Sequence, residues 1–381
     1  MNKIRYIFNK IFSKEDVNNA RQIEVDIAKA ICILGMAIVH CFEFFPLSFP
    51  ETDPVVYIFI YILNTCFGAT TFVVCMGLGL AYTRKNEPIQ IIKRGFIMLL
   101  LSFAFNFFRF TVVDILLQVS TGEFDIPYLI SSVFFVDILT FAGLALMLFG
   151  LLKLFKTPYW AMLLISVAMA TLGTIFNAIP IDSWIISMLV CPFLPVTENP
   201  IIGYNAYFPL FNWFIFVVFG YGFGIMLKKV QNKGLFYGIV SGICGLFTII
   251  YLAICIPNKW GLCYPVIANT MFIKVYDSLV AFVITIAVFG LHYAVSHLLP
   301  KVIKNFISFL SKGLTKFYVI HWLVISFTAI IILLINETWT MPNQIVCILM
   351  GIGVFIVSCL ILFFVNKIVG KIKSKRDAQY S

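Results

Sequence analysis

Charge is what this chain is shortest of. Only 12% of its 381 residues are Asp, Glu, Lys or Arg, and the acids number 17. Ordinary soluble domains carry about twice that charged fraction. Histidine is scarce too, with 4 in all, and there is no Cys-x-x-Cys. The 10 cysteines are scattered, mostly in apolar runs where a thiol behaves as a small core group. Neither a zinc spacing nor a disulfide framework is present; Cys255 and Cys263, flanking one loop, are the single pair considered for a bridge. The apolar runs do not alternate with polar residues, which excludes a transmembrane β-barrel. No internal repeat or low-complexity stretch is evident. Residues 1–24 are too long and too charged for a cleavable signal, and no small-residue cleavage site follows the first apolar run.

What is present is hydrocarbon. The composition is 61% hydrophobic and 17% aromatic, with a mean hydropathy of +1.01. The expected fold is all-α: a polytopic transmembrane helical bundle in a lipid bilayer, with about ten spans. They are expected near residues 27–45, 55–82, 95–117, 128–152, 158–179, 209–227, 235–256, 271–294, 317–335 and 343–365. The net charge of +10 does not indicate nucleic acid. Of the 27 Lys and Arg, all but Arg109, Lys259 and Lys274 cluster at alternate span ends and at both termini. This positive-inside pattern puts both termini in the cytoplasm and the long loop 180–208 outside. Residues 1–26 read as a basic amphipathic arm on the inner leaflet, 27–366 as the bundle, and 367–381 as a basic cytoplasmic tail.

The most informative stretch is Arg21 to Phe45. A charged entrance (Arg21, Glu24, Asp26, Lys29) leads into an apolar run that ends at His40, with Glu43 one turn further. Lys29 and His40 are eleven residues apart, close to three full turns, so they share a stripe roughly 16 Å long. Ionisable groups inside a span are expensive and suggest function. An imidazole there suits general-base catalysis or a proton relay, against the plainer reading of a hydrogen-bonded core histidine. His292, His297 and His321 fall near inner ends, away from His40's depth, so neither metal nor haem is expected. Asp137, among Phe134, Phe135, Val136 and Ile138, requires a cation or a wet cavity. Arg109 and Asp114 read as a structural pair, although a spacing of five aligns them poorly. Lys93 and Arg94 are either a solvated surface pair or a phosphate site. The small residues of Gly68–Gly79 favour close helix packing.

In this order these residues resemble a known group. Arg21-x-x-Glu24-x-Asp26-Ile-x-Lys29-x-Ile-x-Ile-Leu-x-Met-x-Ile-x-His40 resembles the first span of integral-membrane acyltransferases. Both the heparan-alpha-glucosaminide N-acetyltransferase catalytic-domain type and the wider acyltransferase-3 group look similar. Thr71 to Lys85, Lys93 to Leu101, Tyr207 to Trp213 with Phe219 to Gly224, and Phe317-Tyr-Val-Ile-His-Trp322 extend the likeness over about three-quarters of the chain. Lys29 stands where the acyltransferase-3 group usually has arginine. His40 stands where heparan-type enzymes often have asparagine. The resemblance implies transfer of an acyl group, acetyl above all, from cytoplasmic acyl-CoA to an extracytoplasmic glycan or glycolipid in a bacterial plasma membrane. Lys29, Lys93 and Arg94 would then hold the donor. His40 would act as base, with Glu43 or Asp137 orienting it. Transfer to oxygen or nitrogen, and a homo-oligomer, stay open. From the residues alone, a proton-coupled transporter using these charges as a relay, or a non-catalytic scaffold, are the alternatives.

Overall fold

The computed structural model describes residues 3–45, 53–84, 86–122, 124–176, 181, 183–195, 206–261, 273–336, 341 and 343–379. Among them the chain is helical, with two isolated bridges, Phe12 to Val230 and Val136 to Ala206. The helices are α1 Lys3–Ile11, α2 Ile23–Phe44, α3 Pro54–Phe67, α4 Ala69–Tyr82, α5 Pro88–Asn106, α6 Val112–Thr121, α7 Ile126–Val133 and α8 Ile138–Leu154. They continue with α9 Tyr159–Ile175, α10 Trp184–Val190, α11 Leu210–Lys228, α12 Lys233–Asn258, α13 Val275–Ser296, α14 Lys301–Lys312, α15 Leu314–Asn336 and α16 Gln344–Gln379. A π-helical turn, Phe107–Thr111, joins α5 to α6.

Apolar runs of this length become helices because hydrocarbon offers the backbone no partner, and a helix satisfies every N–H and C=O within itself. Eight helical stretches among the described residues are long and apolar enough to cross a membrane: Ile23–Phe44, Pro54–Tyr82, Pro88–Ile115, Leu210–Lys228, Lys233–Asn258, Val275–Ser296, Leu314–Ile332 and Gln344–Ile372. The other two expected spans are the shorter apolar helices α8 and α9, of 17 residues each. That length reaches about 26 Å, just under the hydrocarbon thickness of about 30 Å. The span expected from residue 128 is in fact two elements. Asp137 has extended backbone and its carboxylate accepts from the amides of Leu139 (2.9 Å) and Thr140 (3.0 Å). It therefore starts α8 as an N-cap, and α7 before it is a separate short helix. The loop expected at 180–208 contains α10; its residues 196–205 lie outside the described ones, as does Cys263.

The bundle is organised around α2, which packs against α3, α4, α13, α14, α15 and α16. On the opposite side α4 lies along α11, and α5 along α8. Outward faces are apolar, as lipid contact demands: Ile97, Leu100 and Phe108, Leu246 and Ile249, and Leu349 and Ile356 are all exposed. The N-terminal arm docks on the α11–α12 turn through backbone bonds from Ser13 to Lys229 (2.8 Å) and from Gln231 to Ile11 (2.9 Å).

The charged entrance of α2 is largely structural. Glu24 is fully buried, paired with Lys233 Nζ at 2.6 Å and accepting from Tyr237 OH at 2.9 Å. Asp26 binds Arg21 and accepts from Ser311 Oγ at 2.7 Å. Removing one partner of such a pair leaves an uncompensated charge, which costs about 3–5 kcal/mol. Lys233→Met should thus lower the detergent melting temperature sharply, while Glu24→Gln/Lys233→Met should recover most of the loss. A double variant no more stable than Lys233→Met would show that the lysine matters for something other than neutralising Glu24.

Candidate active site

Three cavities run in sequence through the bundle and share walls. The first, ≈ 250 Å³, is lined by Lys29 of α2, Arg94 of α5, and Thr83, Leu139 and Tyr318. The second, ≈ 80 Å³, meets the first at Ile138 and Tyr318 and is lined by His40, Glu43, Asn64, Arg109 and Asp137. The third, ≈ 220 Å³, shares Glu43, Arg109, Tyr207 and Trp322 with the second. The series begins near the first turns of α2 and ends near its last turn. The Lys29–His40 stripe runs along it, as the helical period implies.

His40 and Glu43 form a dyad. Nδ1 of His40 is 2.6 Å from Oε2 of Glu43, and the side chains are 19% and 27% exposed. A carboxylate only accepts, so Nδ1 is the donor in this contact, and in the neutral tautomer that leaves Nε2 with its lone pair. The Trp322 ring packs 4.4 Å from the imidazole. His321 lies at the same depth, its ring 5.6 Å from that of His40 and stacked on it. This corrects its expected placement near an inner end: His321 is the eighth residue of α15, which begins at Leu314, and α15 crosses beside α2. His321 is fully buried, with Nδ1 3.1 Å from the Phe317 carbonyl oxygen. It does not line these three cavities. Among the described residues no group of three or more His, Cys, Asp or Glu side chains gathers closely enough to hold a metal ion.

Asp137 does not reach the imidazole. Beyond its capping bonds it accepts from Ser102 Oγ (3.2 Å) and Tyr318 OH (3.0 Å), and Nη1 of Arg109 stands 3.6 Å from its Oδ2. The cation it requires is therefore Arg109, from the neighbouring element. The expected Arg109–Asp114 pair is replaced by this one. Arg109 is 3% exposed, and its guanidinium carbon sits 3.3 Å from the Trp322 ring centroid and 4.1 Å from that of Phe110. Of the three expected donor-binding cations, Lys29 and Arg94 line one cavity, whereas Lys93 is exposed and outside it. Arg109, Tyr318, His321 and Trp322 join the site without having been singled out for it. Tyr318 and Trp322 are four apart on one helix face, inside the Phe317–Trp322 motif, and that spacing was the available signal.

Spanning helices around a series of cavities, with a histidine–carboxylate dyad midway and cations at one end, define a polytopic membrane protein. Residues 22–363 match the model of the acyltransferase-3 family, described as an acyltransferase domain. The chain belongs to that family, and it is an integral membrane protein. No curated protein and no solved structure matches it.

Proposed function

We propose that this protein moves an acyl group, acetyl in the simplest case, from cytoplasmic acyl-CoA to an extracytoplasmic acceptor, a sugar of the bacterial cell envelope. The observation that carries this reading is the cavity series: cations at one end, a histidine–carboxylate dyad in the middle, a further cavity beyond it. Lys29 and Arg94 attract the donor's phosphates into the first cavity, and Lys93 adds to the field at its mouth. The basic clusters at that end support a cytoplasmic side for it. The pantetheine arm then directs the thioester towards His40.

The chemistry balances without a further reactant. His40 Nε2 takes the proton of the acceptor hydroxyl or amine as that atom attacks the thioester carbonyl. The C–O or C–N bond forms, the C–S bond breaks, and the proton passes from the imidazolium to the departing thiolate. Glu43 holds the imidazole by Nδ1 and stabilises its charged form. Asp137 has a different part from the one expected: it holds Tyr318 and balances Arg109 at the cavity wall. The likeness of span 1 to heparan-alpha-glucosaminide N-acetyltransferases keeps amine acceptors within this reading.

One observation favours a transporter instead. The second spanning stretch is broken at Gly68, where α3 ends and α4 begins beside the second cavity, and broken spans are common in transporters. The experiment closing the Discussion separates the two.

The donor site is tested by binding. Lys29→Ala should weaken acetyl-CoA binding by about tenfold, the worth of one partly screened charge contact, with little loss of folded protein. Lys29→Arg should stay near the parent. Calorimetry showing parental affinity in Lys29→Ala would remove the first cavity from the donor path.

A further inference from the structure

The third cavity has features that acyl transfer at His40 does not account for. It is lined by Glu43, Arg109, Asp114, Tyr128, Tyr207 and Trp322, among others. Two nitrogens of Arg109, Nε and Nη1, are buried with no hydrogen-bond partner, and so is Oδ2 of Asp114. The 3.6 Å approach of Arg109 to Asp137 is an ion pair but too long for a hydrogen bond. A buried donor or acceptor left unmade typically costs about 1–3 kcal/mol, so three such atoms on two residues that line one cavity point to a missing polar occupant.

The backbone supports this. In a regular α-helix Arg109 and Asp114, five apart, would lie about 140° apart. The turn Phe107–Thr111 is π-helical, with the amide of Val112 bonded to the carbonyl of Phe107. Each residue of this wider i→i+5 turn rotates the chain less than an α-helical one, which narrows the angle between Arg109 and Asp114, and both residues line one cavity. Such turns are less stable than α-helix and occur frequently at functional sites. The guanidinium carbon meanwhile lies against the rings of both Trp322 and Phe110, which restricts the directions its N–H groups can take.

Donors and an acceptor on two residues of one cavity, which Tyr128, Tyr207 and Trp322 also line, suit a ring of hydroxyls. Each hydroxyl both donates and accepts, and the C–H faces of such a ring pack on aromatic side chains. Charge narrows the choice. Glu43 and Asp114 face this cavity, and Arg109 is already balanced by Asp137, so a carboxylate or phosphate would meet repulsion. We infer that Arg109 and Asp114 form the acceptor subsite and that it takes an uncharged sugar ring, read through adjacent hydroxyls. The subsite's role as acceptor site rests on the acyl-transfer reading above; its binding of a sugar does not.

The test is calorimetry on the full-length protein in a detergent without a sugar headgroup. The probes are the methyl glycosides of glucose, galactose and N-acetylglucosamine, with methyl glucuronide as the charged comparison. At least one neutral glycoside should bind. Asp114→Asn, which preserves shape, should weaken it by about tenfold to a hundredfold and leave acetyl-CoA binding at the parental value. Arg109→Lys should also weaken the glycoside; Asp114→Asn decides the matter if the arginine variant does not fold. No binding of any neutral glycoside, tighter binding of the glucuronide, or parental binding by Asp114→Asn would each overturn the inference. Glycoside binding by a protein that transfers no acyl group would sink the acyltransferase reading and leave the subsite standing. Acyl transfer to a glycoside, unaffected by Asp114→Asn, would do the reverse.

Discussion

His40→Gln should abolish acyl transfer while the protein still folds and binds acyl-CoA. Glutamine keeps a hydrogen-bonding group near Glu43, so packing and polarity change little, but it has no basic lone pair near neutral pH. Loss of a general base typically lowers the rate by about a hundred- to ten-thousand-fold, whereas loss of one structural hydrogen bond costs only about 1–3 kcal/mol of stability. The two roles thus separate in the ratio of turnover to donor affinity. The adjacent imidazole sharpens the experiment. His321 is fully buried and lines none of the three cavities, so His321→Gln should lower turnover far less than His40→Gln. If His40→Gln turns over near the parental rate and His321→Gln does not, the base is the α15 histidine and the dyad with Glu43 is packing.

Gly77→Ala and Gly220→Ala should each prevent accumulation of folded protein. At the α4–α11 crossing a Cβ on Gly77 would lie 2.1 Å from the carbonyl oxygen of Val217, and one on Gly220 2.1 Å from that of Val74. The obstacle in both cases is main chain of a packed helix, which cannot rotate away. Overpacking ordinarily costs about 1–3 kcal/mol, and contact with backbone on both sides of one crossing places these changes at or above the top of that range. Gly242→Ala is the control. It is also helical, nothing lies within 4 Å of its added Cβ, and alanine improves helix propensity by up to about 1 kcal/mol. Size-exclusion profiles decide it: a normal folded peak for Gly77→Ala would mean that the two helices are not in backbone contact.

The bundle was legible in the sequence because hydrocarbon forces apolar runs into helices one run at a time. The Lys29–His40–Glu43 stripe was legible for a similar reason: all three stand on one helix, and 3.6 residues per turn fixes their relation. What could not be read were relations between helices. The apolar neighbours of Asp137 suggest the inside of a span; nothing local shows that Phe134 to Val136 leave the helix so that its carboxylate can cap α8. Arg109 was matched with Asp114 because both are on one stretch, but its charge is balanced by Asp137 from the adjacent element. The π-turn defeats period-based reading altogether, because it changes the period at the residues that matter. The depth of His321 depends on how α15 is set against α2, which hydropathy does not encode.

The central claim is that an acyl group crosses while its carrier stays behind. Purified protein in proteoliposomes, given acetyl-CoA labelled with ¹⁴C on the acetyl and ³H on the coenzyme, measures both at once. The label is supplied on the side of Lys29 and Arg94, and envelope glycan is enclosed on the other. The account predicts ¹⁴C bound to the enclosed glycan with ³H left on the donor side as free thiol, and neither transferred by His40→Gln. Both labels crossing together would make the protein a transporter. Acetyl joined to an acceptor on the donor side would contradict the path through the three cavities.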